Sequence, residues 1–93
     1  MTEGRAAMFR IAVVEDDPGY SNRLKGYIAD FEREYGESFQ ITAFPDGLEI
    51  AENYTAVYDI ILMDIEMKHL DGMTTAKRIR ALDKSVTINF INN

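Results

Sequence analysis

The sequence predicts an α/β fold built on one parallel sheet with helices on both faces. Two observations carry this. Short β-rich apolar runs alternate with amphipathic helical stretches in the order βαβαβαβ. The most apolar run, Ile60-Ile61-Leu62-Met63, lacks polar alternation, as in a strand buried on both faces. A third observation concerns chemistry. Glu15 and Asp16 close the run Ile11-Ala12-Val13-Val14, and Asp64 follows Met63. If those strands lie parallel and adjacent, the acids meet at the carboxyl edge of the sheet, where such folds bind ligands.

Residues 10–14 are too few for a helix and rich in β-branched side chains, so they read as the first strand. Asp17-Pro18 supplies an N-cap and a proline for the first helical turn. Tyr20, Leu24, Tyr27, Ile28, Phe31 and Tyr35 then recur at helical spacing as one apolar stripe, assigned to the core. Arg23, Lys25, Asp30, Glu32 and Arg33 take the other faces, and Gly36 is the stop signal. Residues 39–44 read as the second strand, Pro45-Asp46-Gly47 as a turn, and residues 48–54 as a short helix. The third strand covers 58–63. A loop over 66–72 leads into a helix over 73–82, with Met73, Ala76, Ile79 and Ala81 partly inward. Lys77, Arg78, Arg80 and Lys84 form a basic cluster read as a solvated face. Residues 86–91 form the fourth strand. Asn89 interrupts it, and a buried amide without partners would cost roughly 1–3 kcal/mol. Met63, Met67 and Met73 read as core fillers, and His69, the one histidine, as a solvated loop residue.

With 93 residues, 46% of them hydrophobic, the chain suits one small domain rather than two or a disordered segment. Residues 1–7 read as a polar leader and residues 8–93 as the domain. A net charge of -6 argues against nucleic-acid binding by this segment, since a duplex reader needs a basic face. No stretch is long enough to span a membrane and no signal peptide is visible, so a cytoplasmic location is expected. The absence of cysteine excludes disulfides and thiolate metal sites.

Crowded carboxylates repel one another, which raises the pKa of at least one and favours a bound cation. Magnesium takes oxygen ligands and keeps several waters, so one or two carboxylates, a main-chain carbonyl and phosphate oxygens suffice. The plainer reading of an acid at a strand end is a helix cap or a solvated loop residue, and Asp17 fits it. Asp64 fits it less well, because it follows four apolar residues and an unpaired buried charge is costly. The residues by themselves leave both readings open.

The segments Val13-Val14-Glu15-Asp16-Asp17-Pro18, Tyr58 to Met67 and Leu70-Asp71-Gly72-Met73, with Thr75 to Arg80 after them, resemble the receiver domain of bacterial two-component response regulators. The detail is most similar to receivers of LytTR-type regulators, and the likeness covers residues 9 to 92. It implies a flavodoxin-like three-layer sandwich with strand order 2-1-3-4-5, here lacking the fifth strand and last helices. It implies Asp64 as the phospho-acceptor, served by a sensor histidine kinase, with Mg2+ held by Asp16, Glu15, Asp64 and the main-chain carbonyl of Glu66. Glu15 would act through water, and Gly72 would allow the turn into the third helix. Such a domain is a signalling switch rather than an enzyme, and it would regulate transcription through a missing output domain.

Three departures qualify the resemblance. Asn92 stands at the switch position where the family has Ser or Thr. The lysine at the end of a fifth strand lies beyond this chain. Lys68 replaces a common proline. They leave an alternative: a receiver remnant unable to be phosphorylated, acting as a protein-interaction or dimerisation module. An aspartyl phosphatase is a third reading, opposed by the lack of room for a cap domain. An open fourth strand also leads to an expectation of self-association.

Overall fold

Four parallel strands lie in the order β2-β1-β3-β4. The computed structural model describes residues 8–92, so the leader over 1–7 and Asn93 lie outside the described residues. The elements are β1 (Phe9–Val14), α1 (Pro18–Tyr35), β2 (Phe39–Phe44), α2 (Gly47–Glu52), β3 (Ile60–Asp64), α3 (Gly72–Leu82) and β4 (Thr87–Ile91). The chain therefore leaves β1 to one side for β2 and returns to its other side for β3. That reversal of strand order lies between β1 and β3, and the first part of the implied strand order is what is observed.

The register assigns the two faces. Ala12 pairs with Ile61 and Val14 with Met63. These four, with Ile50 of α2, Ile79 of α3 and Val86, form the buried core. Each of these side chains except that of Ala12 contributes about 1.5–3 kcal/mol on full burial, so this layer anchors the sheet. The other face carries Ile11, Val13, Ile60 and Leu62, and α1 lies over its β2 side, where the rings of Phe31 and Phe39 are 5.8 Å apart. Ile60 and Leu62 stay half-buried. The third strand is thus fully buried on one face only, and the expectation of two buried faces is corrected on that point.

Helix α1 begins as the sequence predicts. The Asp17 side chain accepts from the Gly19 N–H at 3.0 Å, with Pro18 in the first turn. It ends at Gly36, whose φ of 64° is the left-handed conformation that favours glycine. Its aromatic stripe departs from expectation. Tyr27 is 64% exposed, and Phe31 and Tyr35 are exposed too. The helix packs against β2 along one edge of its stripe, and no described element covers the rest. Met73, 52% exposed, is likewise not a core residue: it lines an open groove with Ile88 and Phe90 of β4 that no described element covers. Met63 is buried and Met67 partly so, as expected. Asn89 raises no burial penalty. It pairs in register with Leu62 on the open part of the α1 face and is exposed.

Polar ties close the opposite end. The Tyr54 hydroxyl donates to Asp83 Oδ2 at 2.6 Å, which joins the turn after α2 to the end of α3. Arg80 Nη1 donates to the carbonyls of Asp83 and Val86, at 3.2 and 2.7 Å, and so fixes the entry to β4. Helix α2 stops two residues before the sequence predicts, at Glu52, where the chain turns toward that tie.

Candidate functional site

Glu15 and Asp16 follow the last residue of β1, and Asp64 is the last residue of β3. Because β1 and β3 are parallel neighbours, the three carboxylates converge. One ligand oxygen from each lies within 4.8 Å of the others. Glu15 is 2% exposed and Asp64 3%, whereas Asp16 is half-exposed.

Backbone amides orient all three. The Asp17 N–H donates to Glu15 Oε2 at 3.0 Å, the Glu66 N–H to Asp64 Oδ1 at 3.4 Å, and the Lys68 N–H to Asp16 Oδ2 at 3.2 Å. The second oxygen of Glu15, Oε1, is buried with no hydrogen-bond partner. Such an oxygen is costly unless it is protonated or meets a cation. Burial, together with the neighbouring Asp64 and Asp16, pushes the Glu15 carboxyl up to about 7, against the lowering effect of the Asp17 N–H. Three hard oxygen donors, one of them orphaned, fit a small divalent cation such as Mg2+.

Gly72 shapes the floor. Its N–H donates to the Ile65 carbonyl at 2.9 Å, and an added Cβ would sit 2.2 Å from the Asp64 carbonyl oxygen. What this glycine supplies is space for close approach. Asp71 caps α3 by accepting from the Thr74 N–H at 2.8 Å. A hollow of about 280 Å³ opens beside the acids, between α1 and the end of β2, lined in part by Glu15, Asp16, Ser21, Lys25 and Phe44.

The structure brings together Glu15, Asp16 and Asp64 as the sequence predicts. Glu66 lies two residues beyond Asp64, exposed, with its N–H turned to Asp64. Asn92 is exposed just past Ile91, which pairs in register with Asp64. His69 is largely exposed, with Nδ1 3.4 Å from Asp46 Oδ2. Sequence reasoning missed the Lys68 N–H and the depth of Glu15. The first leaves no mark in side-chain chemistry. The second was signalled by the four apolar residues immediately before Glu15.

Residues 11–92 match the response regulator receiver domain. The transcriptional regulatory protein CiaR of Streptococcus pneumoniae is 34% identical over 80 residues, 86% of this chain and 32% of CiaR. The chain thus spans about a third of that relative's length. Among solved structures, the response regulator TrrA of Thermotoga maritima in complex with Mg2+-BeF superposes with a TM-score of 0.78 at 28% identity. That match covers 91% of this chain and 70% of TrrA. TrrA in complex with the histidine kinase ThkA matches with a TM-score of 0.75 at 28% identity, covering 91% and 69%. Sequence, topology and the acidic strand ends agree, and the chain belongs to the response regulator receiver domain family.

Proposed function

We propose that Asp64 accepts a phosphoryl group from a phosphohistidine of a sensor kinase, with Mg2+ held by Asp16, Glu15, Asp64 and the main-chain carbonyl of Glu66. The observation that carries this is the convergence of three carboxylates within 4.8 Å, with Glu15 Oε1 buried and unpartnered. The Asp64 oxygen not tied to Glu66 attacks phosphorus. The P–N bond of the donor breaks as the P–O bond forms, and the electron pair leaves on the imidazole nitrogen, which takes a proton. Mg2+ supplies countercharge to the phosphoryl oxygens. The chain's own part is to hold Asp64 by its backbone tie and to exclude water from one side of it.

In this reading the chain is a substrate of its kinase and not itself an enzyme. The complete acidic cluster favours it over an inert remnant. The acyl phosphate carries about -1.5 to -2 charge where the carboxylate carried one, a net gain of about -0.5 to -1, next to Ile91 and Asn92, the switch position. An output domain that regulates transcription, LytTR-type by motif resemblance, would read that change. No helix among the described residues is long and apolar enough to cross a membrane, and the proposal places the protein in the cytoplasm, with no nucleic acid bound by this segment.

The test is incubation with Mg2+ and a small acyl phosphate, followed by intact mass. One added phosphoryl group is expected on the parent chain and none on Asp64→Asn. An equal adduct on both would refute Asp64 as acceptor. Self-association through β4 belongs to the same proposal. Among the described strands β4 pairs on one side only, and such an edge recruits another strand. Light scattering after size exclusion should show a concentration-dependent dimer, and a monomer at all concentrations would reject it.

A further inference from the structure

The three backbone ties on the acids differ in reach. Those on Glu15 and Asp64 come from two residues further along the chain, within the same turn. The tie on Asp16 comes from Lys68, 52 residues away, and joins the loop after β3 to the end of β1. Asp16 is also the half-exposed member of the cluster. Repulsion from Glu15 and Asp64 favours rotation of its carboxylate outward into water. The Lys68 N–H opposes that rotation by holding Oδ2, which leaves Oδ1 free for a cation. The loop is steadied by a second contact, the approach of His69 to Asp46 across the neighbouring strand ends.

We infer that the main-chain N–H of Lys68 is a positioning group for the cation site: it keeps Asp16 turned inward and thereby sets Mg2+ affinity. This rests on the Mg2+ reading above. The role belongs to the backbone of residue 68 and not to its ammonium group. A charge-assisted hydrogen bond in a half-exposed setting corresponds to about a fivefold change in affinity.

Proline at 68 removes the N–H, whereas alanine keeps it and discards only the ammonium. No non-glycine described residue has positive φ, so position 68 lies on the side of the backbone map that proline uses. Calorimetric titration with Mg2+ at about pH 8, above the range in which Glu15 titrates, should show Lys68→Pro binding about fivefold more weakly than Lys68→Ala. The difference should vanish in an Asp16→Ala background, where residue 16 has no side-chain oxygen left to accept from the Lys68 N–H. Equal affinities of the two variants, or a difference that survives in Asp16→Ala, would overturn the inference, since a general loop effect would persist there. Hydrogen exchange at the Lys68 amide supplies a readout that needs neither metal nor proline. It should quicken at least about tenfold in Asp16→Ala, and unchanged exchange would overturn the tether. A parent chain that binds no Mg2+ overturns the cation reading instead, while the exchange result still judges the tether by itself.

Discussion

Replacing Glu15 by glutamine keeps the shape of the side chain and removes its charge, and the consequence should depend steeply on pH. In the folded chain the Glu15 carboxyl is raised from 4.5 to about 7. Below pH 4.5 the group is protonated whether the chain is folded or not, and it contributes no pH dependence. Between 4.5 and 7 the folded state holds a proton that the unfolded state has lost, so the stability of the metal-free protein falls as pH rises through this window. Each pKa unit is worth about 1.4 kcal/mol, so the full window costs about 3 kcal/mol. Glutamine has no such cost. The variant should therefore exceed the parent in stability by about 3 kcal/mol at pH 8 and by less than about 1 kcal/mol at pH 5. For a domain of this size the difference at pH 8 corresponds to upwards of about 10 °C in Tm.

The assay is thermal and denaturant unfolding followed by circular dichroism, in chelator, from about pH 5 to 8. Asp16 and Asp64 are common to both proteins but feel the Glu15 charge, so the difference between the curves reports the cluster with and without that charge. Parallel curves would refute the argument, and so would a glutamine variant less stable than the parent at pH 8.

In the parent chain Mg2+ competes with the Glu15 proton, so the affinity measured by calorimetry should fall by about tenfold per unit as pH drops below 7 and should stay level above it. Gly72→Ala places a Cβ 2.2 Å from the Asp64 carbonyl oxygen. It should cost about 2–3 kcal/mol in denaturant unfolding and weaken Mg2+ binding as the end of β3 shifts. Tyr54→Phe deletes the hydroxyl donor to Asp83, whose other oxygen still accepts from the Ser85 and Val86 N–H groups. A loss of about 1 kcal/mol is expected, with Mg2+ affinity unaltered because the tie lies at the far end of the sheet.

The alternation of elements and the site were legible because each rests on local chemistry. An aspartate before a proline makes a cap wherever it falls, and acids that close apolar runs must meet once those runs pair in parallel. The extent of burial was less legible, because it depends on what covers a face. The stripe Tyr27, Phe31 and Tyr35 has helical period and apolar character, yet period says only that a face exists. Met73 repeats the lesson at the start of α3, and Asn89 repeats it in reverse: an apparent buried amide is harmless on an open face. The Lys68 tie was invisible because a backbone N–H is the same in every residue but proline, and only the folded path of the loop shows where it points.

These observations bear on why the cation and the phosphoryl group belong together. Two unit charges at the 4.8 Å span of this cluster repel by roughly 3–4 kcal/mol at an effective dielectric near 20. Among the described residues no basic side chain forms an ion pair with Glu15, Asp16 or Asp64. The three backbone N–H groups soften the repulsion, and a proton on Glu15 removes part of it; that repulsion adds to the larger effect of burial in raising the carboxyl to about 7. The phosphoryl group that the proposal puts on Asp64 would add negative charge to the same place and could draw on neither remedy in full. The amides are already engaged, and a proton on Glu15 carries only one charge. A divalent cation among the same oxygens cancels both the standing repulsion and the arriving charge. In the proposed function, the arrangement that makes the metal-free site costly at neutral pH is therefore the arrangement that would couple Mg2+ binding to phosphoryl transfer.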